Sequence, residues 1–372
     1  MLLYFIKSQQ ADYLKILIIT TIKPYKGSGT GITEYTYQLS EHLKPMLSNN
    51  DRINFLYSLS DSKRNNIKGL LYANTSFKKM IANVPKNKYD IIHVTDHEIG
   101  FAAKILKKTG NSAKIITTIH DLSRFEKGLH RGLSQKVYNK LVQGSIKDAI
   151  KYSDFILCNS SQTLNTITEK FGPIKNIKVV QHGTNDVMIK AKIPKRKAHK
   201  KFVIGYIGAL MKHKNVIFLL KAAEVLKSEP EYKFVIYGTG IDKNMLLRFK
   251  QEHGLDTVEF NGYLKEDSKL KAYDSFDAFA FPSSYEGLGY PILEAQSRGL
   301  PVIIYKYAKI PKEVREYCFE AESPEHMARI IKNLKDNGYN EKPRKKATEY
   351  ARSFTWEKCA RETFEIYTRL CE

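Results

Sequence analysis

The sequence predicts an α/β protein made of two doubly wound, Rossmann-like domains that face each other across a cleft. Three observations predict it. Short apolar runs alternate with amphipathic helical stretches, the rhythm of a parallel sheet covered on both faces. The rhythm breaks at residues 190–201, where AKIPKRKAHK and its flanks are polar and basic and hold Pro194, and it then restarts. With 372 residues and 42% hydrophobic content, the chain is long enough for two separate cores.

The first strand is read at residues 15–20, KILIIT, after an extension over residues 1–12. Gly27, Gly29 and Gly31 punctuate the loop that follows. Ile32, Tyr35, Leu39 and Leu43 then recur near helical spacing. Strand, glycine loop and helix form the unit that opens a doubly wound sheet. Further strands are expected at 53–57, 91–94, 114–119, 155–158 and 177–180, with a helix over 135–151. After the break come a strand at 202–207, a helix over 215–228, and strands at 234–237, 258–260, 278–281 and 302–304. Trp356, Ala360, Phe364, Tyr367 and Leu370 mark a terminal amphipathic helix. The domains are therefore drawn as 1–190, a linker at 191–201, and 202–354.

Charge is uneven. The formal net charge is +22, and the first 200 residues carry 33 Lys and Arg against 14 Asp and Glu, leaving the rest almost balanced. The N-terminal half is the part expected to meet something anionic, and a membrane surface or a phosphate-bearing acceptor both fit. Lys104, Lys107, Lys108, Lys114, Lys136, Lys140 and Lys147 are the candidate basic face. No aromatic-studded basic strand or recognition helix argues for nucleic acid. Cys158, Cys318, Cys359 and Cys371 lack metal-ligand spacing and fit reduced thiols in the cytoplasm. The apolar run after Met1 is five residues, too short for a signal-peptide core or a spanning segment. A cytoplasmic protein, peripheral on the membrane face, is the expected location.

The chemistry concentrates in residues 282–303, PSSYEGLGYPILEAQSRGLPVI. Glu286 is expected on a loop past a buried strand, followed by the Gly287-Leu288-Gly289 turn. Pro291 is tolerated at a helix start, and Glu294 falls on that helix. Backbone amides beside a helix N-terminus favour an anion. The carboxylates would be repelled by phosphate and so face hydroxyls. Two acids, an amide-rich turn and a helix start together suit a nucleotide-sugar.

This segment resembles the signature of the retaining glycosyltransferases of the GT-B fold, the large family that includes sucrose synthase and the mannosyltransferases. The resemblance runs from about residue 15 onward and is tightest over 202–304. It implies that Glu286 touches the donor sugar and Glu294 the ribose. It also implies that Lys214, in IGYIGALMKHKN, neutralises the leaving diphosphate. The family arginine position holds Ala209, and His213 is a candidate stand-in. His120, at the end of the strand 114–119, matches the family histidine that meets the donor sugar from the other domain. Asp121 either fixes its tautomer or caps the next turn. Gly31, Gly208, Gly238, Gly262 and Tyr263 are expected around the nucleotide, and Asn159-Ser160-Ser161 on the acceptor side. The resemblance further implies that the terminal helix, 355–372, crosses back onto the first domain.

No Asp-x-Asp metal clamp occurs in the chain, and no metal or cofactor is expected. The implied activity is hexosyl transfer from a UDP-, GDP- or ADP-sugar to a glycan or lipid-linked acceptor. A nucleotide-sugar epimerase or a glycan polymerase of the same fold, or a non-catalytic partner subunit, are the alternatives.

Overall fold

The computed structural model describes residues 14–25, 31–48, 51–59, 67–126, 133–194 and 200–372. The glycines at 27 and 29, and residues 195–199 of the expected linker, lie outside the described residues.

Among the described residues, twelve strands form two six-stranded sheets. The first holds β1 (Lys15–Ile22), β2 (Arg52–Leu59), β3 (Ile91–Val94), β4 (Lys114–Ile119), β5 (Phe155–Cys158) and β6 (Ile177–Val179), in the order β2-β1-β3-β4-β5-β6. The second holds β7 (Phe202–Ile207), β8 (Tyr232–Tyr237), β9 (Val258–Gly262), β10 (Ala278–Phe281), β11 (Val302–Tyr305) and β12 (Phe319–Ala321), in the order β12-β11-β10-β7-β8-β9. Every pairing is parallel. The reason is visible in the sequence: β5 and β10 are apolar throughout, β3 is apolar but for His93, and all three are buried along their whole length. Such strands need helices on both faces, and parallel crossovers supply them.

In each sheet the strand order reverses once. The reversal falls between β1 and β3 in the first sheet and between β7 and β10 in the second. Ligands of open α/β sheets bind beyond the carboxyl ends of strands at such a switch point.

Among the contacts that tie the halves together are the terminal helix and a buried arginine. The helix Trp356–Cys371 packs on the helix Gly31–Leu43, with Trp356, Ala360 and Tyr367 buried against Tyr35, Leu39 and Leu43. A Cβ at Gly183 would lie 2.2 Å from the Trp356 nitrogen, so the two segments touch backbone to backbone. The second contact is Arg298, whose side chain is fully buried. Its guanidinium pairs with Asp274 at 2.7 Å and donates to the carbonyls of Met188, Ala191 and Lys192 at 3.1, 2.9 and 2.8 Å. Arginine's planar fork of donors suits this shared grip on the chain entering the second lobe.

Candidate active site

The site is assembled from three loops of the second lobe. Past β7, the short turn Lys212–Lys214 leads to Asn215, held in the left-handed region at φ 52°. The His213 carbonyl accepts from the Ser284 nitrogen at 2.7 Å, the Ser284 hydroxyl at 3.0 Å and the Ser283 hydroxyl at 3.1 Å. The β7 loop is thereby fastened to the exit of β10, across the switch point. From that anchorage Lys214 Nζ donates to Glu286 Oε1 at 2.6 Å, with the two side chains 17% and 10% exposed. A desolvated pair of this kind fixes both partners in one geometry.

Glu286 is itself held. Its amide donates to the Lys309 carbonyl at 2.9 Å, and its carbonyl accepts from Gln162 of the other lobe at 3.1 Å. Gly287 follows, and a Cβ there would come within 2.6 Å of the His120 carbonyl. Only glycine allows this approach of the two lobes. Ser160 donates to the Gly287 carbonyl at 2.9 Å, and the Leu122 amide donates to Tyr285 Oη at 3.1 Å. Asn159-Ser160-Ser161, expected beside the acceptor, thus bears directly on the Glu286 loop. Leu288 is buried, and Gly289 at φ 94° turns the chain into the helix Tyr290–Ser297. Among the described residues, the amides of Gly287, Leu288 and Gly289 donate to no protein acceptor. Three N–H groups without a protein acceptor beside a helix start are suited to an anion.

Glu294 lies one turn into that helix and is 5% exposed. Tyr273 Oη donates to one of its oxygens at 2.7 Å, and Lys269 Nζ lies 3.5 Å from the other. Lys269 and Tyr273 share one face of the helix Glu266–Asp274, four residues apart. Neither figured among the expected site residues. The recognisable signal was that spacing, but its target on another helix was not written locally.

The glycines expected near the nucleotide crowd the ends of β7, β8 and β9. A Cβ at Gly238, φ 158°, would sit 1.9 Å from the Gly208 carbonyl, and one at Gly208 would meet Tyr206 Oη at 2.7 Å. The Gly238 amide donates to the Gly262 carbonyl at 2.7 Å, and Gly262 has φ 70°. Tyr263 is 63% exposed. Ala209 offers its carbonyl to Tyr206 Oη at 3.0 Å. A cavity of about 440 Å³ adjoins the β7 loop, its lining including Met211, Lys212, His213, Asp242, Met245 and Ser284. Gly31 begins the first helix, and its Cβ direction meets the Tyr290 ring at 3.4 Å.

His120 is buried at the end of β4, with Nε2 2.8 Å from the Thr95 carbonyl. The carbonyl can only accept, so Nε2 carries the hydrogen. Burial, then the neighbouring His97, lowers its pKa to about 4. Asp121 takes the second of its two expected roles, accepting from the Ser123 amide at 2.7 Å and capping the turn. Around His120 lies a buried aromatic cluster that the sequence reading overlooked. Tyr35 stacks on His182 at 4.2 Å, and His182 Nδ1 bonds Tyr290 Oη at 2.6 Å. His93 bonds both Tyr367 and Thr118, at 2.6 and 2.7 Å. The signal was a histidine inside the apolar run IIHV.

The basic face is partly neutralised. Lys104 pairs with Asp148 at 3.1 Å and Lys107 with Asp154 at 2.8 Å. Among the described residues no helix is long and apolar enough to cross a membrane, and no group of His, Cys, Asp or Glu could hold a metal ion.

Comparison with known proteins supplies the family. Over 172 residues the chain is 28% identical to the O-antigen chain mannosyltransferase B of Escherichia coli, covering 44% of this chain and 45% of that one. It is 27% identical over 236 residues to the UDP-Gal:alpha-D-GlcNAc-diphosphoundecaprenol alpha-1,3-galactosyltransferase of Escherichia coli, covering 59% and 58%. The chain thus matches about half the length of these relatives. Among solved structures, Anabaena HepE in complex with UDP and glucose superposes with a TM-score of 0.69 at 16% identity, over 96% of this chain and all of that one. That likeness establishes the fold. Residues 30–186 match the profile described as Glycosyltransferase Family 4, and residues 188–354 match Glycosyl transferases group 1. With both lobes matched, the chain carries a Glycosyltransferase Family 4 domain followed by a Glycosyl transferases group 1 domain, on a GT-B fold.

Proposed function

We infer that this glycosyltransferase moves a hexose from a nucleotide-diphosphate donor to a glycan or lipid-linked acceptor, with retention of configuration. The observation that carries the reading is the Lys214–Glu286 pair beside the free amides of Gly287–Gly289, with the His120 backbone against the same loop. The amides and the helix start bind the diphosphate. Lys214 offsets the charge that grows on the leaving phosphate as the glycosidic bond breaks, with no metal required. Glu286 holds sugar hydroxyls and Glu294 the ribose. Retention follows if the acceptor hydroxyl attacks from the face the diphosphate leaves, with that phosphate taking its proton. His120, neutral and buried, stands on the sugar's far side and helps exclude water, which would hydrolyse the donor.

The relatives support the two ends of the reaction. One is named a mannosyltransferase, and the other is named for a UDP-galactose donor and a diphosphoundecaprenol-linked acceptor. A lipid-linked acceptor also suits the basic N-terminal half and a peripheral position on the cytoplasmic face.

The test is a thermal-shift screen against UDP-, GDP- and ADP-sugars, followed by product analysis with the donor that binds. A ligand of the folded state raises the melting temperature by an amount that grows with the logarithm of its concentration over Kd. One donor class is expected to stand out, and Glu286→Ala and Lys214→Ala to cut transfer by about a hundredfold or more. A folded protein that none of the donors stabilises, and that neither transfers nor hydrolyses them, would mark a non-catalytic partner subunit. Conversion of the donor without an acceptor would mark an epimerase.

A further inference from the structure

The helix Leu133–Tyr152 carries a surface that the donor site does not use. Val137 and Leu141 are 55% and 54% exposed, one turn apart. Lys136, Lys140, Lys147 and Lys151 are exposed along the same side. The opposite side, Val142, Ile146 and Ala149, is buried, with Val142 and Ile146 in one cluster with Ile119, Ile156 and Cys158 at the first sheet. The helix holds one acid, Asp148, and it is engaged by Lys104 at 3.1 Å. Isolated aliphatics on a surface are ordinary. Two adjacent ones framed by four lysines with no free acid are the pattern of a helix that lies in a membrane interface.

We propose that this stripe docks the protein on an anionic lipid bilayer, with Val137 and Leu141 entering the headgroup region and the lysines meeting lipid phosphates. A protein partner fits less well. A stable interface covers about 800 Å² on each side around an apolar centre, and two aliphatics among lysines do not provide one. The position suits an acceptor delivered from lipid. Tyr138, next to Val137, donates to Glu98 at 2.7 Å, and Glu98 pairs with Arg124 at 3.1 Å. Glu98 follows β3 and Arg124 follows β4, so the stripe borders the strand ends where His120 sits. This docking rests on the reading of a lipid-linked acceptor.

Co-sedimentation of the full chain with phosphatidylcholine vesicles, with and without about a third phosphatidylglycerol, tests it. Wild type is expected to bind the anionic vesicles at low salt and release in about 0.5 M salt. Val137→Ser with Leu141→Ser, and separately Lys136→Glu with Lys140→Glu, are each expected to lower binding on the order of tenfold. Both variants should keep the wild-type thermal shift with the donor nucleotide. Absent vesicle binding, or binding unchanged in both variants, overturns the docking while the donor reading stands. A soluble dimer that dissociates in the serine variant, without vesicle binding, assigns the stripe to a second copy instead and also overturns it. Loss of the donor shift in wild type would strike the transferase reading and leave the vesicle result to be judged separately.

Discussion

Lys214 and Glu286 meet across the switch point of the second sheet, 2.6 Å apart, one from the loop after β7 and the other from the loop after β10. The contact joins the residue proposed to meet the diphosphate to the residue proposed to meet the sugar. It also presets the lysine before substrate arrives, since Ser283 and Ser284 hold the preceding carbonyl. Preorganised charge costs no rearrangement during the reaction, which is why such groups weigh heavily in catalysis. Lys214→Ala is expected to lower kcat by about a hundred- to a thousandfold, with a smaller change in donor affinity. Steady-state transfer assays decide it. A variant with wild-type kcat would remove Lys214 from the leaving-group role.

Glu294 depends on Tyr273 as Glu286 depends on Lys214. The phenol donates to Glu294 at 2.7 Å, and burial, then Glu294, raises the Tyr273 pKa well above its ordinary value, so the phenol stays protonated and donates. A hydrogen bond to a charged acceptor contributes about 1.5–3 kcal/mol. Tyr273→Phe is expected to weaken donor nucleotide binding by roughly tenfold while kcat changes little, because ribose contacts hold ground state and transition state alike. Isothermal titration with the nucleoside diphosphate checks this. Unchanged affinity in a folded Tyr273→Phe protein would show that Glu294 is positioned without it.

The strands were readable because burial on both faces leaves little choice of residue. Residues 91–94, 114–119, 155–158 and 278–281 fall where the apolar runs put them. The edge strand β12, Phe-Glu-Ala, is three residues long and only partly buried, and it carries no such run. The loop glycines were legible for a related reason, since Gly287 and Gly238 stand where a Cβ would strike backbone of another segment. What stayed hidden was tertiary. That Thr95 rather than Asp121 holds the His120 ring, or that Tyr290 reaches His182 108 residues away, follows from how the lobes meet. A local pattern records which side chains exist and not which partner they find.

Arg298 gives a prediction about stability. It is buried with its charge shared between Asp274 and three carbonyls. Removing one member of a buried pair leaves the rest unsatisfied, at about 3–5 kcal/mol. Arg298→Met preserves much of the volume and is expected to destabilise by that amount, lowering the urea midpoint. The grip on Met188–Lys192 should also loosen, and limited proteolysis near residues 190–200 should quicken. A variant as stable and as resistant as wild type would show that packing around residue 298, not its charge, holds the linker.

The buried histidines set the pH dependence. Burial, then the neighbouring His120, lowers the His93 pKa to about 3. Burial, then His97, lowers that of His120 to about 4, and burial, then His120, holds His182 well below its ordinary value. All three are neutral in the folded protein at pH 7, and so are most of the same rings in the unfolded chain, whose pKa is about 6.5. Below that value the unfolded chain binds protons that the folded chain refuses. Stability therefore falls as pH drops, by about 2 kcal/mol each for His93 and His120 between pH 7 and pH 5, with His182 acting in the same direction, and it levels off only below the folded values. Above pH 7 these groups contribute no slope. Urea midpoints at pH 8, 7, 6 and 5 should be flat over the first interval and fall over the last two. Imidazole proton resonances assigned to His93, His120 and His182 should hold their positions down to pH 5. A resonance from any of the three that titrates near 6.5 in the folded protein would show that ring to be solvated, and its share of the acid sensitivity would vanish.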